Sequence, residues 1–163
     1  MGGERTVGIG MDYSPTSKLA VQWAVDNLVR SDDLIILIHV HSSKGEHTMK
    51  NLWESTGGSP LIPLDEFKEM NLSVQYGINP DREVLDILEN ASKTNKVKVL
   101  SKIYWGDARE KLCDAVDDLK LDSLVLGSRG LGPIKSVLLG SVSNYIVLHA
   151  ACPVTVVKGS HGH

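Results

Sequence analysis

The sequence has few of the residues that build disulfide scaffolds, membrane spans or nucleic-acid interfaces. Its 163 residues include two cysteines, Cys113 and Cys152, whose spacing matches no metal-binding or redox motif and provides no disulfide framework. No apolar run approaches the roughly twenty residues of a membrane-spanning helix. The formal net charge is −3 at pH 7. This argues against a general nucleic-acid or anionic-membrane binder, because such proteins need a clustered basic face.

A hydrophobic leader is also absent from the first residues, MGGERTVGIGMD, which run directly into a β-prone segment. Together with the two unpaired cysteines, this predicts a cytoplasmic protein. A chain of this length is expected to form one domain and to bury roughly two thirds of its unfolded surface. We place that domain at residues 1–158. The final GSHGH, residues 159–163, is expected to be a flexible tail, either native or vector-derived.

What the sequence does contain is a regular alternation of strand-like and helix-like segments. The β-prone or continuously apolar segments are residues 6–11, 34–41, 97–104, 123–126 and 154–157. Segments with helical spacing of apolar residues separate them, at 16–30, 80–93, 107–119 and 141–150. This order predicts a single α/β domain with an open, parallel, five-stranded sheet and helices on both faces.

One segment, residues 42–79, does not fit the alternation. It is too long for an ordinary connection and combines Gly57-Gly58, Pro60 and Pro63 with the short helix-like run LDEFKEM. We expect a partly mobile insertion here.

The most unusual stretch is GSRGLGPIKSVLLGS, residues 127–141, with four glycines between a predicted strand and a predicted helix. Ligands of open parallel sheets bind beyond the carboxyl ends of the strands, and a helix N-terminus favours phosphate. Glycines let a phosphate approach the backbone, Ser141 and Ser143 can add hydroxyl groups, and Arg129 can add positive charge. These features favour a phosphate or nucleotide site. The alternative is that the glycines only shape a long turn and allow close helix packing.

Two common phosphate-binding motifs do not match. In a P-loop the glycines at 127 and 132 would precede a lysine, but Pro133 occupies that position. A dinucleotide fingerprint after the first strand would use Gly8 and Gly10, but Tyr13 occupies the third glycine position.

A third spacing matches better. Gly127, Gly130, Gly140 and Ser141 follow the pattern G-x-x-G-x9-G-[ST], and HAACPVTVV follows the next helix. With GMDYSPTSKLAVQWA near the N-terminus and ILIHVH in the second strand, the chain resembles the universal stress protein family. It is most similar to the subgroup that binds ATP or AMP. The resemblance covers nearly the whole chain, apart from residues 42–79 and the tail.

The resemblance implies a strand order of 3-2-1-4-5, which brings Asp12 opposite Gly127 across a crevice. It also implies that Asp12 lies near the adenosine or near Mg²⁺ bound through the phosphates, and that the backbone of Val40 contacts the adenine edge. The residues expected around the ribose and phosphates are Gly127, Ser128, Arg129, Gly130, Gly140, Ser141, Val142 and Ser143. From the residues alone, Asp12 could instead simply cap the next turn.

The expected function is therefore an adenine-nucleotide-binding stress-response or signalling module. A slow Mg²⁺-dependent ATPase and a holdase-like chaperone with a structural nucleotide are the alternatives. We assign no catalytic residue, because no combination of general base and lysine is evident. A homodimer through the edge strand Pro153–Val157 is also expected, since this strand is short, apolar and free of charge.

Several other residues have simpler interpretations. His39 and His41 lie on one face of a strand, but without an evident third ligand they are expected to form local hydrogen bonds rather than a metal site. Cys113 is expected to pack in the core, and Asp107 to cap a helix.

Overall fold

One mixed sheet organises the fold. A computed structural model of the protein describes residues 4–41, 57–69, 78–128 and 141–159. In these ranges the strands are β1 (Thr6–Gly10), β2 (Leu34–His41), β3 (Ile62–Pro63), β4 (Lys98–Trp105), β5 (Ser123–Gly127) and β6 (Val154–Val157). Their order across the sheet is β3-β4-β2-β1-β5-β6. All neighbouring pairs are parallel except β3 and β4.

The prediction of five parallel strands is wrong in number, because β3 adds an antiparallel sixth strand beside β4. The five predicted strands keep their expected order. In β3, Ile62 pairs with Ser101 and Pro63 pairs with Leu100. Two residues are too few to show a strand periodicity. The pairing is stabilised instead by burial. Ile62 in the strand is 5% exposed, and Phe67 in the helix that follows is 0% exposed.

β3 therefore lies inside the segment predicted to be a mobile insertion. Residues 57–69 of that segment pack on the sheet, whereas residues 42–56 and 70–77 lie outside the described residues. Its mobility stays a prediction.

Three of the helices begin at capping side chains. The helices are α1 (Pro15–Trp23), α2 (Leu64–Glu69), α3 (Arg82–Asn95), α4 (Ala108–Asp118) and α5 (Ser141–His149). A π-helical segment, Ala24–Leu28, continues α1. Ser14 caps α1 by accepting the Ser17 N–H, and Pro15 follows at the first helical position. Asp81 and Asp107 accept N–H groups at the starts of α3 and α4, which confirms the prediction for Asp107.

Alternating residues of β2 face two separate hydrophobic layers. Ile35 and Leu37 pack in the layer formed with α1, α2 and α3. Ile36 and Ile38 pack in the opposite layer, with α4 and α5. A continuously apolar strand is expected to be buried on both faces in this way. Each face of β2 therefore has its own set of neighbours.

The N-terminus of α1 lies directly against the last residue of β5. A Cβ atom on Gly127 would lie 2.5 Å from the Thr16 carbonyl carbon and 2.7 Å from the Ser17 nitrogen. Real Cβ atoms do not approach backbone so closely, and a helix start cannot move as a flexible side chain can. Glycine at 127 is therefore required for this helix–strand contact.

Gly127→Ala should destabilise the protein by about 1–3 kcal/mol through overpacking. Gly159→Ala is the matched control, because its Cβ would meet only the Thr16 side-chain methyl group, at 3.1 Å. Urea unfolding of both variants measures the difference. If the two variants were equally stable, the close contact between Gly127 and the start of α1 would be contradicted.

Candidate functional site

A cavity opens at the carboxyl ends of β1, β2 and β5 and has a volume of about 130 Å³. Its position is where open α/β sheets hold their ligands. The lining residues come from five parts of the chain: Gly10, Met11, Asp12, Ser14, Ser17, Ile38, Val40, Ala108, Leu112, Leu126, Gly127, Val142 and Ser143. Residues distant in sequence thus share one concave surface.

The structure brings half of the ten predicted contact residues to this cavity: Asp12, Val40, Gly127, Val142 and Ser143. Ser128 is buried beside it, and its N–H donates to the Val157 carbonyl at 2.9 Å. Ser141 begins α5 and is exposed. Arg129, Gly130 and Gly140 lie outside the described residues.

Sequence reasoning missed the side of the cavity formed by α4. Ala108 and Leu112 line it, although their helical spacing indicated only that they face inward. Whether an inward residue borders a cavity depends on how the helix lies on the sheet, which periodicity does not report. Leu126 and Ile38 were likewise identified only as strand residues.

The backbone of Val40 faces the cavity beyond the end of β1. The β1–β2 ladder closes with the Met11 N–H donating to the Ile38 carbonyl at 2.9 Å. Peptide groups two residues apart in a strand point to the same side, so the N–H and C=O of Val40 point as those of Ile38 do. The alternation is visible at His41, whose carbonyl accepts from Gly106 on the other side. Val40 thus presents a donor and an acceptor where β1 has ended.

Asp12 occupies the turn between β1 and α1. Its Oδ1 atom accepts the Ser14 N–H at 2.9 Å, so the carboxylate does cap the turn. The side chain is also exposed and borders the cavity together with Gly127. Capping the turn and facing a ligand are compatible roles, because a carboxylate accepts several hydrogen bonds.

The start of α5 provides polar groups on the opposite wall. Ser143 lines the cavity and is 2% exposed. The first N–H groups of a helix have no partner within the helix and carry partial positive charge. This wall can therefore hold an anion, whereas Ile38, Leu112 and Leu126 make the adjoining surface apolar.

Behind the cavity, on the other face of the sheet, His39 contacts Tyr13. The Tyr13 Oη and His39 Nε2 atoms share a hydrogen bond of 2.9 Å, so the partner of this histidine lies 26 residues away in the sequence. Within the described ranges no group of three or more His, Cys, Asp or Glu residues could hold a metal ion. Burial lowers the pKa of His39 to about 4, opposed by the Lys102 backbone. Burial, and secondarily Asp81, raises the pKa of Tyr13.

Cys113 packs against the layer formed with α4 and α5, as predicted. Burial raises the pKa of its thiol, and the nearby Asp114 and Asp117 raise it further. A raised thiol pKa lowers the fraction of reactive thiolate, which fits a packing residue.

The comparisons with known proteins match this architecture. The model of the universal stress protein family matches residues 4–158. Universal stress protein PHOS32 of Arabidopsis thaliana is 31% identical over 96% of this chain, and the chain spans 66% of that protein's length. The chain spans 63% of the length of a second Arabidopsis relative, universal stress protein PHOS34.

Two solved structures resemble the fold at 26% identity. One is an Arabidopsis thaliana universal stress protein with AMP bound, with a TM-score of 0.60 over 96% of this chain and 92% of that one. The other is a universal stress protein in complex with cAMP, with a TM-score of 0.63 over 98% of this chain and 100% of that one. The fold is that of an α/β protein with an open sheet and a crevice at the carboxyl ends of its strands. The chain belongs to the universal stress protein family.

No helix among the described residues is both long enough and apolar enough to cross a membrane.

The unfolding free energy should depend on His39 between pH 6.5 and about 4. In this range the unfolded histidine binds a proton and the buried one does not, so stability falls as the pH is lowered. In His39→Gln this loss should be smaller by up to about 1.4 kcal/mol per pH unit. Urea unfolding at several pH values measures it.

Ile35→Val is the control, because it alters the same strand without changing a titratable group. Its pH dependence should match that of the wild type. A His39→Gln variant with the wild-type slope would show that His39 is protonated in the folded protein as readily as in the unfolded chain.

Proposed function

We propose that the protein is an adenine-nucleotide-binding module of stress response or signalling, which holds AMP or ATP in the crevice. The observation that carries the proposal is the backbone of Val40, which presents one N–H and one C=O beside an apolar cavity. The adenine edge pairs an amino donor with a ring-nitrogen acceptor, so it complements this arrangement. Guanine has a carbonyl acceptor at the position of the adenine amino group, and the match is lost.

The apolar residues of the cavity support the same ligand class. A purine has two apolar faces, and Ile38, Leu112 and Leu126 offer the kind of surface that ligand pockets use for such groups. The two structural relatives described above bind AMP and cAMP, both adenine nucleotides. They support adenine as the base.

The phosphates would lie toward α5. Its N-terminal N–H groups and the Ser141 and Ser143 hydroxyls are the donors that we propose for them. Gly127, Ser128, Arg129, Gly130, Gly140 and Val142 would complete the ribose and phosphate contacts. Asp12 would lie near the adenosine, or near Mg²⁺ when ATP carries one.

Binding is favoured over rapid hydrolysis by the ionisable groups present. Among the described residues that line the cavity, Asp12 alone has an ionisable side chain. Phosphoryl transfer needs a positioned water or base together with groups that stabilise the developing charge. We therefore propose that the nucleotide acts mainly as a bound signal.

AMP and ATP should bind more tightly than GTP, because only the adenine edge matches the Val40 backbone. They should also bind more tightly than NAD, although NAD contains adenine, because the crevice lacks a dinucleotide fingerprint. Isothermal titration calorimetry with the four compounds tests this. Equal affinities, or no binding by any of them, would refute adenine recognition.

The Ala108→Leu variant tests whether AMP binds in the cavity. A larger branched side chain at this position would occupy part of the 130 Å³ space and weaken AMP binding by about tenfold or more. Ala151→Leu is the matched control, since Ala151 is exposed and does not line the cavity.

We also propose that two copies associate through β6. This strand is at one end of the sheet, pairs with β5 on one side, and its four residues are all partly exposed. The adjacent α5 exposes Val147 and Leu148, by 46% and 71%. An apolar strand edge beside exposed apolar side chains favours a self-complementary contact.

Light scattering at tens of micromolar should then give twice the 17.7 kDa chain mass. Thr155→Lys combined with Leu148→Lys should give monomers, because each dimer would bring several like charges together. Leu19→Lys, at an exposed position of α1, should leave the dimer intact. A monomeric wild type would exclude the proposal.

A further inference from the structure

Half-buried Tyr13 and buried His39 form a polar pair that the proposed ligand contacts do not use. His39 is 3% exposed and lies in the layer opposite the cavity, since Ile38 and Val40 on either side of it line the cavity. Its ring stacks on Phe67 of α2, with centroids 5.2 Å apart. The Tyr13 ring lies against His39 in a tilted arrangement, with a centroid distance of 5.5 Å.

This pair connects the two backbone segments that would hold the nucleotide. Tyr13 directly follows Asp12, and His39 directly precedes Val40. The Tyr13–His39 hydrogen bond of 2.9 Å is a side-chain link between the β1–α1 turn and the end of β2. A shift of either segment would change the separation of Asp12 from the Val40 backbone.

The backbone of Tyr13 shows why such a link is needed. Its φ angle is 60°, in the left-handed region that residues other than glycine rarely adopt. A strained conformation persists only when its surroundings hold it in place. The Asp12–Ser14 hydrogen bond constrains this turn locally. The Tyr13 side chain adds a tertiary constraint through its hydrogen bond to His39 and its packing against the layer with α1 and α3.

We propose that Tyr13 and His39 are positioning residues for the adenine-nucleotide site, holding the Asp12 turn and the Val40 backbone at their binding separation from the opposite face of the sheet. The inference rests on the proposed function. Neither side chain touches the ligand. When the link is lost, the turn populates other conformations. The apparent dissociation constant then rises in inverse proportion to the fraction of molecules that remain competent to bind.

Tyr13→Phe removes the hydroxyl and keeps the ring, so the variant should fold and should bind AMP about five- to tenfold more weakly. His39→Leu removes the other partner and should have a similar effect. The double variant should be no weaker than either single variant, because all three lack the same bond. His39→Gln restores a hydrogen-bonding group at similar reach and should recover most of the affinity.

Ile35→Val separates positioning from general stability. Ile35 is fully buried in the same strand and the same layer, so this substitution should lower stability about as much as Tyr13→Phe. Its affinity for AMP should remain at the wild-type value.

Calorimetric titration with AMP and urea unfolding without ligand are measured for every variant. The inference is supported if AMP affinity falls in Tyr13→Phe and His39→Leu. His39→Gln should then recover most of the affinity, and Ile35→Val should keep the wild-type value. Unchanged AMP affinity in Tyr13→Phe, or an equal loss in Ile35→Val, overturns it while the proposed function stands. A wild type that binds no AMP overturns both.

Discussion

The contact between bare backbone at Gly127 and the start of α1 determines how the crevice is assembled. Because no Cβ separates them, α1 begins beside the end of β5. This placement brings Ser14, Ser17 and Asp12 to the same cavity as Gly127. Close helix packing is therefore one reason for glycine at 127. It does not exclude contact with a ligand, since the same residue also lines the cavity.

The sheet separates two environments whose residues alternate along β2. On one face Ile38 and Val40 border the cavity, and on the other His39 packs under Tyr13 and Phe67. Side chains on one face can thus influence the backbone used on the other without contacting a ligand. Burial favours the neutral form of this histidine, and its Nε2 atom shares a hydrogen bond with Tyr13.

Local features of the fold were predictable from the sequence, and features that depend on tertiary placement were not. The apolar run of β2 and the caps at Ser14 and Asp107 follow from residue type and spacing. The two-residue strand β3 could not be recognised, because its formation depends on burial against β4. The contact of Tyr13 with His39 joins residues 26 positions apart and has no sequence signal. Asp12, Val40 and Gly127 were placed together only through family resemblance, and Ala108 was not placed there at all.

The proposed nucleotide site depends on contact between the Val40 backbone and the base of a bound adenine nucleotide. Amide spectra of ¹⁵N-labelled protein, recorded during titration with AMP and separately with GMP, test it most directly. We expect the Val40 amide to be among the most strongly shifted with AMP and to change little with GMP. Shifts confined to the groove between α1 and α3, around Gln22 and Asn90, would contradict it.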